Sequence, residues 1–191
     1  MPHDPAGTGT AVSLLEELRG EFGRLKVQAE RALAQVDDEA FFAAIDPDSN
    51  SLAVLVKHVA NNLKSRWTDF LDTDGEKPDR DRDGEFVIGP EDTRESLMAR
   101  WALGWERLTG ALAALGEADL SRTVFIRSEP HSVIRAALRS LTHTAGHVGQ
   151  IVLLARHACG SRWETLSVPR GESAQFTARI RARFGSPDPQ A

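Results

Sequence analysis

The chain has 191 residues, 41% of them hydrophobic and 27% charged, which is typical of a globular domain with a buried core. The formal net charge of −5 argues against a general nucleic-acid-binding protein, because phosphate binding requires a basic surface. No apolar run approaches the ~20 residues that span a bilayer, so we expect no membrane partner. The single cysteine, Cys159, fits a reducing cytoplasm. We expect one domain over residues 11–184, with flexible ends at 1–10 and 185–191.

Four segments carry the 3.6-residue apolar repeat of an amphipathic helix. They span about residues 12–36, 51–71, 93–115 and 133–158. Residues that cap helices stand near their starts: Ser13 at the first, Ser49 or Asn50 at the second, and Ser132 at the fourth. A shorter helix is expected from about residue 172 to 184.

Two connections in the chain are unusual. Residues 72–89 are crowded with charge, and a connection of this length is either a solvated linker or a functional segment such as a lid. Residues 122–127 form a short β-like run, which we expect to pair with residues 86–88 as a small ribbon. The fold class predicted is therefore all-α, a four-helix bundle with a small ribbon and a short C-terminal helix.

His143 and His147 stand four residues apart within the fourth predicted helix. Residues at that spacing lie one above the other on the same helix face, so both imidazoles can reach one metal ion. His58 lies in the second predicted helix and completes a three-histidine site if the two helices face each other. A lone histidine on an apolar helix face is more often a hydrogen-bonded core residue, and that interpretation stays open for all three.

A site of three neutral imidazoles leaves coordination positions for water or substrate, which is typical of catalytic metal sites. Nitrogen ligands favour Zn²⁺ or Ni²⁺, with Fe²⁺ or Co²⁺ as alternatives. Thr144 stands where a zinc peptidase of the H-E-x-x-H type has its glutamate, which excludes that mechanism. Asn62, Asp69 and Gln150 are candidates for orienting the imidazoles, and no catalytic residue is predicted beyond the ligands.

Several separated motifs carry a family resemblance. They are Asn50 to His58, Ser65 to Pro78, Arg82 to Phe86, Arg139 to His143, His147 to Ile151 and Leu166 to Gly171. With these motifs in order over nearly all of the chain except its two ends, the sequence resembles the DinB-like (YfiT-like) metalloenzyme superfamily. Within it, the chain is similar to a bacterial branch known mainly as a domain of unknown function.

The resemblance implies a four-helix bundle whose divalent-metal ligands are His58, His143 and His147. Relatives in the superfamily include thiol-dependent S-transferases and isomerases and metal-dependent hydrolases, and many form homodimers. The resemblance therefore implies a small-molecule substrate, for instance a low-molecular-weight thiol, and a homodimer, but it leaves the reaction open.

Three hypotheses about function follow. The first is a metal-dependent transferase or hydrolase that activates a thiol or water. The second is a metal-binding stress or sensor protein without catalysis. The third is a structural bundle in which the histidines belong to the core.

Overall fold

A computed structural model describes residues 13–185 of the chain. Within that range the chain forms helices and one β-hairpin. The helices are α1 Leu14–Leu33, α2 Asp38–Phe42, α3 Leu52–Trp67, α4 Arg94–Ala114, α5 Val133–Cys159 and α6 Ser173–Phe184. The strands are β1 Thr123–Ile126 and β2 Glu129–Ser132. The four long helices match the four predicted segments, and α2 is a short helix that periodicity did not predict.

Each long helix begins at a hydroxyl side chain that accepts a hydrogen bond from the third helical backbone N–H. These N-caps are Ser13, Ser51, Thr93 and Ser132. The predictions of Ser13 and Ser132 are confirmed. The prediction of Ser49 or Asn50 for the second helix is wrong, because it is the hydroxyl of Ser51 that faces the N–H of Val54.

The long helices pack as a four-helix bundle. In it α3 packs most extensively on α4 and α1 on α5, while α3 also contacts α5. The close approach of α3 and α4 depends on Gly104, where an added Cβ would lie 2.5 Å from the carbonyl oxygen of Ala60. Trp101 and Trp105, each 1% exposed, fill the bundle core from α4. The predicted all-α bundle is confirmed.

The small ribbon exists, but the prediction of its partner strand was wrong. β1 pairs antiparallel with β2, with Val124 opposite His131. Residues Arg127 and Ser128 make the turn with φ of 55° and 63°. Two consecutive positive φ values suit a tight hairpin, and the carboxylate of Asp74 accepts hydrogen bonds from both backbone N–H groups. Because this tight turn joins β1 directly to β2, β1 pairs with β2 and not with residues 86–88.

The charged segment 72–89 folds back against the bundle. Its 3-10 turn, Asp83–Phe86, contacts α3 and carries a fully buried glutamate, Glu85. Near the end of the segment, Lys57 of α3 donates hydrogen bonds to the carbonyl of Val87 and to Asp92. The segment is therefore packed structure rather than a solvated linker.

The two predicted flexible ends, residues 1–10 and 185–191, lie outside the described residues except for Gly185. Cys159 is buried at the end of α5, where its thiol donates a hydrogen bond to the carbonyl of Gln35. In the described part of the chain, no helix has the length and apolar character needed to cross a membrane.

Candidate metal centre

The bundle brings the three predicted histidines together. His58 points from α3, and His143 and His147 point from successive turns of α5. His58 is buried, and the other two are half-buried. One nitrogen of each side chain lies within 4.8 Å of one nitrogen of each of the others. Three imidazoles on two facing helices therefore converge on one point.

The closest pair of imidazoles has the spacing of two ligands on a shared ion. The Nε2 atoms of His58 and His143 are 3.2 Å apart. Two nitrogens bound to one ion at ~2.1 Å lie ~3.0 Å apart at a right angle and ~3.4 Å apart at a tetrahedral angle. The observed distance falls between these two values.

Hydrogen bonds orient two of the rings. Nδ1 of His58 lies 2.7 Å from a carboxylate oxygen of Glu85, and Nδ1 of His147 lies 2.8 Å from the side-chain oxygen of Gln150. Both oxygens accept, so each Nδ1 carries a proton and each Nε2 is the ring nitrogen left to bind a metal. A carboxylate or amide behind the distal nitrogen is typical of metal-binding histidines. The donor set therefore fits a divalent ion.

Glu85 is held as a carboxylate although it is only 1% exposed. Burial opposes its ionisation, but hydrogen bonds from His58 and Arg80 outweigh burial and lower its pKa. Arg80 donates from Nε and Nη2 to the two oxygens at 2.8 and 2.9 Å. His58, Glu85 and Arg80 thus form one buried chain of hydrogen bonds.

The surroundings also keep the α5 imidazoles neutral. Burial, followed by repulsion from His147 and His58, lowers the pKa of His143 to about 4. Burial is likewise the main reason that the pKa of His147 is lowered. Only neutral imidazole binds a metal, so both side chains are in the ligand form near pH 7.

Of the three residues predicted to orient the ligands, one forms a hydrogen bond with a histidine of the site. Gln150 does so at His147. Asn62 lines the neighbouring cavity, but no hydrogen bond joins it to a site histidine within residues 13–185. Asp69 was a wrong prediction, because it follows α3 in a turn with φ of 46° and lines a different cavity.

Glu85 was missed in the sequence because the segment around it is rich in exposed charge. The available signal was the aromatic residue Phe86 directly after Glu85, whereas Val87 and Ile88, which continue the apolar run, are exposed. Phe86 does pack on His58, with ring centroids 4.8 Å apart. His157, on a later turn of α5, is exposed and outside the site.

A cavity of about 210 Å³ adjoins the centre. His58 and His143 form part of its wall, and Trp67 and Phe125 contribute apolar surface. The imidazoles of His58 and His143 therefore face a space that a small molecule can enter.

Comparison with known proteins gives a family for this chain. A family profile described as a protein of unknown function, DUF1572, matches residues 9–172. The chain belongs to the DUF1572 family. All three histidines lie within the matched range, whereas α6 lies beyond it.

One solved structure similar to this DUF1572 protein is a crystal structure described as the conserved protein of locus from Enterococcus faecalis. The two are 18% identical, the TM-score is 0.60, and the alignment covers 79% of this chain and 100% of the other. This likeness concerns the fold alone. No curated protein matches the chain significantly.

Proposed function

We propose that His58, His143 and His147 bind one divalent metal ion in a small-molecule enzyme. The observation that carries the proposal is the convergence of their nitrogens within 4.8 Å, with the Nδ1 atoms of His58 and His147 hydrogen-bonded to oxygens behind them. Three protein ligands leave a coordination position for substrate, as catalytic sites do. The resemblance to the DinB-like superfamily supports the same ligand set.

A divalent ion at this position lowers the pKa of a water or thiol that binds it. The protein around it favours a thiol. Among residues 13–185, the wall of the adjoining cavity has no aspartate or glutamate. Both oxygens of the nearby Glu85 accept hydrogen bonds from Arg80, so this carboxylate is not free to act as a general base. A thiol needs no such base, and we therefore place S-transfer ahead of hydrolysis.

The proposal also includes the identity of the ion, the partners of the protein and its location. The ion is Zn²⁺ or Ni²⁺ first, with Fe²⁺ or Co²⁺ as alternatives. The partners are a small-molecule substrate, such as a low-molecular-weight thiol, and a second copy of the chain. We expect the protein to be located in the cytoplasm.

Metal analysis of the purified and the reconstituted protein tests the metal. Wild type should bind one equivalent, and His147→Ala should lose more than the ~10- to 100-fold in affinity typical of residues that only orient a ligand. His157→Ala is the matched control, because this exposed histidine lies on the same helix away from the site. Absence of stoichiometric metal from both native and reconstituted wild type would reject the proposal.

Activity is tested by screening thiols with electrophiles, and simple esters and amides, on wild type and His147→Ala. Turnover that is lost in His147→Ala and kept in His157→Ala supports metal-dependent catalysis. A metal-loaded protein with no turnover, or equal rates in all three proteins, favours the alternative of a non-catalytic metal-binding stress or sensor protein.

A further inference from the structure

The cavity beside the three histidines has a wall of arginines. Five guanidinium side chains line it: Arg66, Arg80, Arg82, Arg127 and Arg139. No aspartate or glutamate from residues 13–185 lines it. The chain as a whole has a net charge of −5, so the local charge has the opposite sign to the average.

The arginines come from different parts of the chain. Arg66 lies on α3, Arg80 and Arg82 in the segment 72–89, Arg127 in the hairpin turn and Arg139 on α5. Arg66, Arg82 and Arg139 stand in three separate motifs of the sequence, and only the fold brings the five arginines together.

Two carboxylates behind the wall pair with three of these arginines. Glu76 contacts Arg66 at 2.8 Å, and both Arg80 and Arg127 at 3.3 Å. Glu85, the second carboxylate, pairs with Arg80. The nearby Asp74 instead accepts hydrogen bonds from the backbone N–H groups of Arg127 and Ser128, so three guanidiniums share two carboxylates as direct partners.

Arg66 is the arginine at which burial and repulsion from its neighbours act together. Its side chain is largely buried, and burial lowers its pKa, with Glu76 opposing and repulsion from Arg80 and Arg127 adding to the effect. An anion in the cavity would relieve that repulsion.

Arg139 has the guanidinium most available to a ligand. It lies on α5 one turn before His143, and its nearest carboxylate oxygen, on Glu129, is 3.9 Å away. Guanidinium groups bind carboxylate and phosphate oxygens in a two-point geometry, which a short ligand in this cavity can meet.

We propose that this cavity binds the carboxylate or phosphate group of a small substrate, with Arg139 and Arg66 as its main contacts. Its volume of about 210 Å³ lies below the ~300–1,000 Å³ usual for ligand pockets, so the substrate is short. Trp67, Phe125 and Ile126 provide an apolar wall for its hydrocarbon part. That the other end reaches the metal rests on the proposed function above.

The anion site is tested first without metal. Metal-free full-length protein is titrated with inorganic phosphate and with acetate, and the arginine Nε–H resonances are followed by NMR. Saturable shifts at Arg66 and Arg139 are expected, and the tighter anion identifies the group. Arg135 is the internal control, since it lies one turn earlier on α5, contacts the same Glu129 at 3.8 Å and does not line the cavity. No saturable shift, or an equal shift at Arg135, overturns the proposal.

The link to the metal is tested with Co²⁺-loaded protein and two thiols, through the thiolate-to-cobalt absorption. We expect 3-mercaptopropionate to bind about tenfold or more tighter than uncharged 2-mercaptoethanol. Arg139→Ala should remove most of this preference, Arg139→Lys should restore part of it, and Arg135→Ala should keep it. Equal affinities for the two thiols, or equal losses in both alanine variants, overturn the proposal. If Co²⁺ does not load, the proposed function fails, and the metal-free titration still decides the anion site.

Discussion

The carboxylate of Glu85 lies 2.7 Å from Nδ1 of His58, in the interior of the bundle. The two side chains are 4% and 1% exposed, so the hydrogen bond that joins them is shielded from solvent. It holds the His58 ring with Nε2 directed at the α5 histidines, and it strengthens that nitrogen as a metal ligand.

Glu85→Gln should weaken metal binding without abolishing it. The amide oxygen still accepts from His58, but the negative charge that strengthens the imidazole as a ligand is lost. We expect metal affinity to fall ~10- to 100-fold. Competition with a chromophoric chelator measures this, and Glu95→Gln, at an exposed position on α4, is the control. Unchanged affinity in Glu85→Gln would show that the carboxylate has no part in ligation.

Arg80→Met should destabilise the fold. It removes the guanidinium that pairs with the buried Glu85 and leaves His58 as the only side chain among residues 13–185 that donates a hydrogen bond to that carboxylate. Breaking a buried ion pair from one side costs ~3–5 kcal/mol. Urea unfolding of metal-free protein measures the loss, with Arg24→Met in an exposed pair as the control that should leave the midpoint unchanged. Equal unfolding midpoints for the two variants would contradict a stabilising role for the buried pair of Arg80 and Glu85.

Metal-free protein should lose stability as the pH falls from ~6.5 to ~4. The pKa of His143 is about 4 in the folded chain, below the ordinary ~6.5 of the unfolded chain. In that interval the unfolded chain takes up a proton that the folded chain does not, so acid favours unfolding until both states are protonated.

His143→Gln removes this titration, so the stability gap between wild type and variant should depend on pH over the same interval. Thermal unfolding at a series of pH values measures it. Because binding requires neutral imidazoles and the pKa of His143 is about 4, metal affinity should fall as the pH drops toward 4. A stability gap independent of pH, or metal affinity unchanged down to pH 4, would argue against this account.

Gly104→Ala should separate α3 from α4. The new Cβ would lie 2.5 Å from a backbone oxygen of Ala60, which cannot move without shifting the helix that carries His58. Overpacking of this kind costs ~1–3 kcal/mol. Gly110→Ala on the same helix is the matched control, because its Cβ meets nothing within 4 Å. It should stabilise by up to ~1 kcal/mol through helix propensity. Chemical denaturation measures both.

The helices and the histidine pair were predictable because their determinants are local. The apolar repeat predicts where a helix runs, and a hydroxyl before it predicts where it begins, as Ser13 and Ser132 confirm. The spacing of His143 and His147 places both on one face of whatever helix contains them. The wrong prediction of the partner of β1 also has a local cause. β-Propensity identifies β1 as a strand, but the turn at Arg127 and Ser128 determines which segment pairs with it.

The sequence by itself determined four amphipathic helices, their approximate bounds and two imidazoles one turn apart, since these depend on neighbours within a few residues. Only the tertiary structure decided that His58 faces that pair, that Glu85 stands behind it and that arginines from several segments meet beside it. Those contacts join residues far apart in the chain. They arise from how the helices pack and how segment 72–89 folds onto them, and no local pattern encodes that.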